Sequence, residues 1–88
     1  MRKTVAVFSS EVMFRCMECV KEGKGIPEGA LSGCKFKTIS DLDRDSFRKV
    51  DIATFDNEGN VVFIDNNLNV IFKTMPMNGM SGLFVLYR

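Results

Sequence analysis

Residues 10–22 of the chain read Ser-Glu-Val-Met-Phe-Arg-Cys-Met-Glu-Cys-Val-Lys-Glu, and the spacing of the charges in this stretch decides its conformation. Steps of four, three and four place charged residues on one stripe of an α-helix: Glu11, Arg15, Glu18 and Glu22. A strand would mix charged and apolar side chains on a single face, which does not suit a half-buried sheet. The pattern therefore predicts an apolar helix that begins after Ser9 or Ser10 and stops at Gly23.

The remaining chain predicts strands separated by tight turns. The fold class that we expect is α+β, with the N-terminal helix packed on a four- or five-stranded, mainly antiparallel sheet that ends in a meander. Residues 40–48 allow two interpretations, a short helix with a capping box of Ser40 and Asp43 or a wide polar turn. The predicted strands are residues 4–8, 35–39, part of 47–55, 61–64, 68–73 and 83–87.

Composition limits the classes of function. The 88 residues suit one domain covering 1–88, and 12 basic against 11 acidic residues give a net charge of +1, too small to indicate nucleic acid or an anionic membrane as partner. No apolar run is long enough for a membrane span or a signal-peptide core. Three cysteines imply no disulfide framework, so we expect a protein of the reducing cytoplasm. The sequence has no histidine, which excludes Ser-His and Cys-His nucleophile pairs. We expect no enzyme activity, no catalytic residue and no cofactor.

Two of the predicted strands, residues 61–64 and 83–87, are apolar at nearly every position. A two-layer domain with one helix cannot cover both faces of two such strands. Either these strands are central in the sheet, or one face of the sheet meets another chain.

Three cysteines, Cys16, Cys19 and Cys34, are the candidate reactive groups. The predicted helix places the first two mid-helix on its apolar side, away from the helix N-terminus that lowers a thiol pKa, so we interpret them as core residues. The alternative is a redox or metal protein. Zinc would need a fourth ligand besides the three thiolates, such as the carboxylate of Asp41 or Asp43.

The redox alternative has a family resemblance. The first strand, a short connection and Cys16-Met-Glu-Cys19 are similar to the opening of the glutaredoxins, and Thr74-Met75-Pro76 resembles the proline segment beside their redox pair. The resemblance implies a nucleophilic thiol at Cys16 and a resolving thiol at Cys19. The chain departs from that family after residue 22, where glycines and Pro27 interrupt the helix that should continue.

Two loops were candidates for ligand binding. Residues 23–33 contain four glycines and a proline, a length typical of functional or mobile segments, although the spacing fits no phosphate-binding motif and favours a flexible connection. Residues 41–45 read Asp-Leu-Asp-Arg-Asp, similar to the start of a calcium loop. The glycine and glutamate that such a loop needs later are replaced by Ser46 and Ile52, so a capping turn is favoured.

Our leading hypothesis is a small non-enzymatic protein that binds another protein, as regulators and inhibitors of the kind that phages produce do. Methionine adapts to varied surfaces, and few charges follow residue 66. A homodimer through the C-terminal strand is a second expectation. Weak binding of single-stranded nucleic acid is a further alternative, which the interpretation of Phe36 as a core residue disfavours. The partner-binding residues proposed from sequence are Met75, Met77, Met80 and Phe84.

Overall fold

A computed structural model describes residues 2–34 and 36–88. Lys35, the first residue of a predicted strand, lies outside the described residues. The described part of the chain is α+β, with two α-helices, one 3-10 helix and an antiparallel sheet of six strands. In chain order the elements are β1 (Thr4–Ser9), α1 (Ser10–Lys21), the 3-10 helix (Glu28–Leu31), β2 (Phe36–Lys37), α2 (Asp41–Lys49), β3 (Ile52–Phe55), β4 (Val61–Ile64), β5 (Val70–Pro76) and β6 (Leu83–Tyr87).

The strands lie in the order β2-β1-β6-β5-β4-β3, and every neighbouring pair is antiparallel. The expectation of four or five strands and one helix was therefore too small. In the described chain the strand expected at residues 35–39 comprises only the two residues of β2, and α2 is a short polar helix that resembles a turn in sequence. The two apolar strands, β4 and β6, are interior strands of the sheet, which is the first of the two alternatives above.

Both α-helices have a serine at the N-cap position. The Ser9 Oγ accepts from the backbone N–H of Val12 at 3.3 Å. Ser40 and Asp43 form the predicted capping box, which confirms the helix interpretation of this segment. The α1 helix is amphipathic rather than apolar, since the charged residues of one side are exposed while Val12, Cys16 and Val20 on the other are buried. Among the described residues, no helix combines the length and the apolar character that crossing a membrane requires.

The helices pack on one face of the sheet, which we call the helix side. Cross-strand neighbours point to the same face of a sheet, so the register assigns every strand residue to one face. Phe63 and Phe72 pair with each other and are buried, and the Phe47 ring of α2 lies 5.1 Å from that of Phe72. The same core contains Val12, Cys16 and Val20 of α1 and Ala6, Phe8 and Leu86 of the sheet.

The opposite face of the sheet, which we call the open face, is covered by no helix of the described chain. Its side chains alternate along each strand with those of the helix side. Val7 and Val62 on this face are buried, but they do not belong to the core that the helices share. The sheet is thus apolar on both faces but covered on only one. The residues of the open face are Thr4, Val7, Ser9, Phe36, Ile52, Thr54, Val62, Ile64, Val70, Lys73, Met75, Leu83, Val85 and Tyr87.

The glycine-rich segment is packed against the helices, contrary to the expected flexible connection. Ile26, Ala30 and Leu31 are buried in the core, and the backbone N–H of Ile26 donates to the carbonyl of Phe47 at 2.9 Å. Gly25 has a φ of +68°, and a Cβ there would lie 2.5 Å from the same carbonyl oxygen. The glycine is needed for this close approach of two backbones.

Leu68 begins no strand, although the sequence predicted one from this residue. It has a φ of +67° and is 74% exposed. It occupies the fourth position of a turn in which Asp65 Oδ1 accepts from the backbone N–H groups of Asn67 and Asn69, both at 2.9 Å. The turn at Asp56 has the same contacts and has Gly59 at the fourth position. The two turns therefore have the same geometry, and leucine in place of glycine is why the sequence did not indicate it.

Candidate functional site

The open face presents three transverse rows of side chains. Two rows are apolar, and the row between them contains a phenol and an ammonium group. In the first row Phe36, Val7, Val85 and Met75 follow one another across β2, β1, β6 and β5. The middle row contains Thr4, Tyr87, Lys73, Val62 and Thr54, and the third contains Val70, Ile64 and Ile52.

The loop between β5 and β6 extends the first row into an apolar cleft of about 230 Å³. The backbone N–H of Met77 donates to the carbonyl of Leu83 at 2.9 Å, which closes the loop beside the open face. Met80 is 51% exposed and Phe36 is 50% exposed, so both side chains are available at the rim. The cleft is lined by Val7, Phe36, Met77, Met80 and Leu83.

The structure brings three of the four proposed partner-binding residues together. Met75 lies in the first row of the open face, and Met77 and Met80 line the cleft beside it. Phe84 pairs with Phe8 and therefore lies on the helix side, separated from the methionines by the sheet. Alternation along β6 could have shown this separation, because Phe84 and its neighbours point to opposite faces.

Sequence reasoning assigned Phe36 to the core, and this assignment was wrong. Phe36 and Lys37 do point to opposite faces, as predicted, because Lys37 pairs with Ala6 on the helix side and Phe36 pairs with Val7 on the other. The mistake was to take the face of Phe36 as the covered one. Strand parity tells which residues share a face, but not which face the helices cover.

The charged groups of the open face are basic. The guanidinium of Arg2 lies 5.1 Å from the centroid of the Tyr87 ring, and its Nη1 lies 3.6 Å from the Met75 Sδ. Lys73 pairs across the strands with both Tyr87 and Val62. None of the six described strands contains an aspartate or a glutamate. The open face is thus apolar with a positive centre.

A second apolar cleft, of about 350 Å³, lies on the helix side between α1 and β3. Phe14, Met17 and Ala53 contribute its apolar wall, and Glu18 and Lys21 of α1 also line it. It is formed by one helix and an edge strand, whereas the open face extends across the whole sheet. We use the exposed Phe14 as a comparison site for the open face.

The three cysteines lie on the helix side and are free. Cys16 is buried in the core, as predicted, and burial, together with the nearby thiols of Cys19 and Cys34, raises its pKa to about 12. Burial also raises the pKa of Cys34. A nucleophilic thiol needs a lowered pKa, so this environment opposes the role that the glutaredoxin resemblance implies for Cys16. Within residues 2–34 and 36–88, no three cysteine or carboxylate side chains are arranged to hold a metal ion.

The Asp-rich segment at residues 41–45 forms the N-terminal half of α2. Asp43 is fully buried and accepts hydrogen bonds from Ser40, Lys3 and Arg88. Asp41 forms an ion pair with Arg44 at 3.2 Å. These contacts agree with the capping interpretation and engage the carboxylates that a calcium loop would need.

No family model, no curated protein and no solved structure matches this chain.

Proposed function

We propose that this protein acts without catalysis, as a regulator or inhibitor that occupies a partner protein through its open face. The observation that carries the proposal is the uncovered apolar side of the sheet, with the cleft of Met77, Met80 and Phe36 at one end. The groups with the largest pKa shifts, Cys16 and Asp43, are both buried on the helix side.

The size of the open face fits part of a protein interface. Six strands about 4.8 Å apart make a surface about 24 Å wide, and strands of about five residues make it about 17 Å long, a footprint of about 400 Å². Soluble monomers rarely expose contiguous apolar patches beyond a few hundred Å², and larger ones mark interaction sites. Each side of a standard protein–protein interface buries about 800 Å² of accessible surface, about twice this footprint, so the partner would also contact the flanking β5–β6 loop.

The test compares substitutions on the two sides of the sheet. Phe36→Asp and Met80→Asp place a charge on the open face, and Phe14→Asp and Leu42→Asp place the same charge on helix-side residues that are 61% and 64% exposed. All four side chains are at least half exposed, so the variants should fold, as circular dichroism and thermal melting would verify. Tagged proteins would be used to capture partners from the cell that expresses the chain.

We expect the open-face variants to lose the captured protein and the helix-side variants to retain it, as quantified by mass spectrometry. A charge buried unpaired in an interface costs several kcal/mol, enough to abolish capture at ordinary concentrations. Loss of the partner from the helix-side variants alone would move the binding site to the cleft at Phe14. Capture that none of the four substitutions alters would refute the proposal.

A further inference from the structure

We propose that the centre of the open face is an anion-binding subsite, in which Arg2 and Lys73 beside Tyr87 take a carboxylate of the partner protein. This inference rests on the proposed function and specifies the chemistry of the partner. The three residues help to line a cleft of about 430 Å³, to which Val70, Ile71 and Arg88, whose guanidinium is paired with Asp43, also contribute.

The Lys73 ammonium and the Arg2 guanidinium both lie at the middle row of the open face, between the two apolar rows. Lys73 lies between Tyr87 and Val62 in the register, so it points out of the open face with apolar residues on either side. Arg2 is held over the Tyr87 ring at 5.1 Å. Apart from the contact of Nη1 with the Met75 Sδ, the stacked guanidinium keeps its N–H donors free for a planar anion such as a carboxylate.

The protein itself supplies no anion to these two groups. Among the residues that the structure describes, no carboxylate lies within 4.0 Å of the charged nitrogens of Arg2 or Lys73, whereas Lys3 and Arg88 each bind Asp43 at 3.0 Å. The described strands also carry no acidic residue. The positive charge at the centre of the open face is therefore uncompensated from within the fold.

A partner that covers the apolar rows must also cover Lys73. Removing an ammonium group from water without an opposite charge costs several kcal/mol, which would cancel much of the gain from burying the valines around it. The occupant must therefore bring an anion to this position. Its remaining surface must be apolar to match the first and third rows.

A second copy of this chain does not meet the requirement. In a twofold-symmetric dimer the same surface patch meets itself, and an axis near the centre of the open face would bring Arg2 and Lys73 of one copy close to those of the other. No aspartate or glutamate on the described strands is available to separate the like charges. The charge pattern thus favours a different protein over a homodimer through this face.

Nucleic acid phosphate is the other common anion, and the surface around the cations favours protein. Binding of single strands uses several cations along the backbone and exposed aromatic rings on which bases stack. The open face has Tyr87 and Phe36 as aromatics, and Arg2 already covers the Tyr87 ring. Its other apolar side chains are aliphatic or methionine, which suit the side chains of a protein.

The test uses a displayed library of random linear peptides, selected on the folded protein and counter-selected on Phe36→Asp. The charge-reversal variant is Lys73→Glu. Its matched control is Lys37→Glu, because Lys37 is also an exposed strand lysine but lies on the helix side, opposite Ala6. We expect the enriched peptides to combine apolar residues with aspartate or glutamate, and to bind Lys73→Glu about tenfold more weakly while binding Lys37→Glu unchanged.

Each other outcome overturns a specific step. Enriched peptides without acidic residues, bound equally by Lys73→Glu, would refute the anion subsite but leave the open face as a docking surface. A library in which nothing survives counter-selection would refute the docking surface as well. Binding of labelled oligothymidylate that both Lys73→Glu and Phe36→Asp abolish would reassign the subsite to phosphate. A dimer in sedimentation that Phe36→Asp dissociates would reassign the face to a second copy.

Discussion

Arg88 donates from Nη1 to Asp43 Oδ1 at 3.0 Å, which joins the residue after β6 to the first turn of α2. Lys3 donates from Nζ to the other carboxylate oxygen at 3.0 Å, just before β1. One buried carboxylate therefore holds α2 against the ends of two neighbouring interior strands. The Arg88 guanidinium also lies 5.6 Å from the centroid of the Phe72 ring, so this contact continues into the core.

Asp43→Asn should lower the free energy of unfolding by about 2 kcal/mol at neutral pH. The amide keeps the shape of the side chain but loses the charge that two cations and the Ser40 cap bind, and hydrogen bonds to charged groups contribute about 1.5–3 kcal/mol. Asp45→Asn, an exposed change on the same helix, should alter stability by less than about 0.5 kcal/mol. Urea titrations measure both, and equal effects of the two variants would contradict the structural role of Asp43.

The same carboxylate predicts a pH dependence of stability. Burial opposes its ionisation, but hydrogen bonds from Lys3, Arg88 and Ser40 outweigh burial and lower the Asp43 pKa from 3.8 to about 2. The unfolded chain therefore binds the proton at higher pH than the native protein does, so the stabilisation is complete above about pH 5 and is lost between about pH 4 and pH 2.

Other carboxylates titrate in the same range, so the measurement is the difference between wild type and Asp43→Asn. We expect a difference of about 2 kcal/mol at pH 7 that disappears by about pH 2. A difference that stays constant down to pH 2 would mean that the ionised form of Asp43 is not what stabilises the fold.

The sequence predicted the features that depend on neighbouring residues. The α1 helix, the capping box at Ser40 and the strands at residues 61–64 and 83–87 all follow from local spacing, and the structure confirms them. The order of the strands depends on pairing between distant segments, which local patterns do not encode. A strand was expected at residues 35–39, but the shortness of β2 and its place at the sheet edge beside Val7 depend on pairing with β1, which the local pattern does not contain.

The candidate site was only partly predicted, because it too depends on pairing between distant segments. The methionines were identified from an unusual composition, which is a local property. Phe36 was assigned to the core because the sequence does not tell which side of the sheet the helices cover, and Phe84 was grouped with the methionines although alternation along β6 places it with Phe8 on the helix side. Lys73 was not singled out, because its meaning depends on Tyr87 of β6 and Val62 of β4 beside it in the sheet.

Gly25→Ala should destabilise the protein by at least about 2 kcal/mol. A Cβ at this position would meet the Phe47 carbonyl at 2.5 Å, and the backbone has a positive φ that alanine disfavours. Gly23→Ala is the matched control, since its φ is +81° but a Cβ there meets nothing within 4 Å. It should cost about 1 kcal/mol, from backbone strain alone. Thermal unfolding distinguishes the two, and equal losses would exclude the close approach at Phe47.

Leu68→Gly should stabilise the protein by about 1 kcal/mol. Leucine at a φ of +67° is strained, its side chain is mostly exposed, and glycine occupies the corresponding position in the turn at Asp56. Asn67→Gly in the same turn is the control, because Asn67 does not have a positive φ and glycine there only adds freedom to the unfolded chain. A loss of stability in Leu68→Gly, measured by urea titration, would show that the leucine side chain contributes to the fold.

Cys16 should be almost inert towards a thiol reagent in the native protein. Raising its pKa to about 12 lowers the thiolate fraction about a thousandfold near pH 8 relative to an ordinary cysteine, and burial adds a steric barrier. The measurement uses a Cys19→Ser, Cys34→Ser protein, in which only Cys16 can react, beside a Cys16→Ala, Cys34→Ser protein that leaves only the partly exposed Cys19. Cys16 should react only after denaturation and Cys19 should react in the native state. A fast native reaction at Cys16 would contradict the buried thiol, and it would make cysteine chemistry, rather than the open face, the property to pursue.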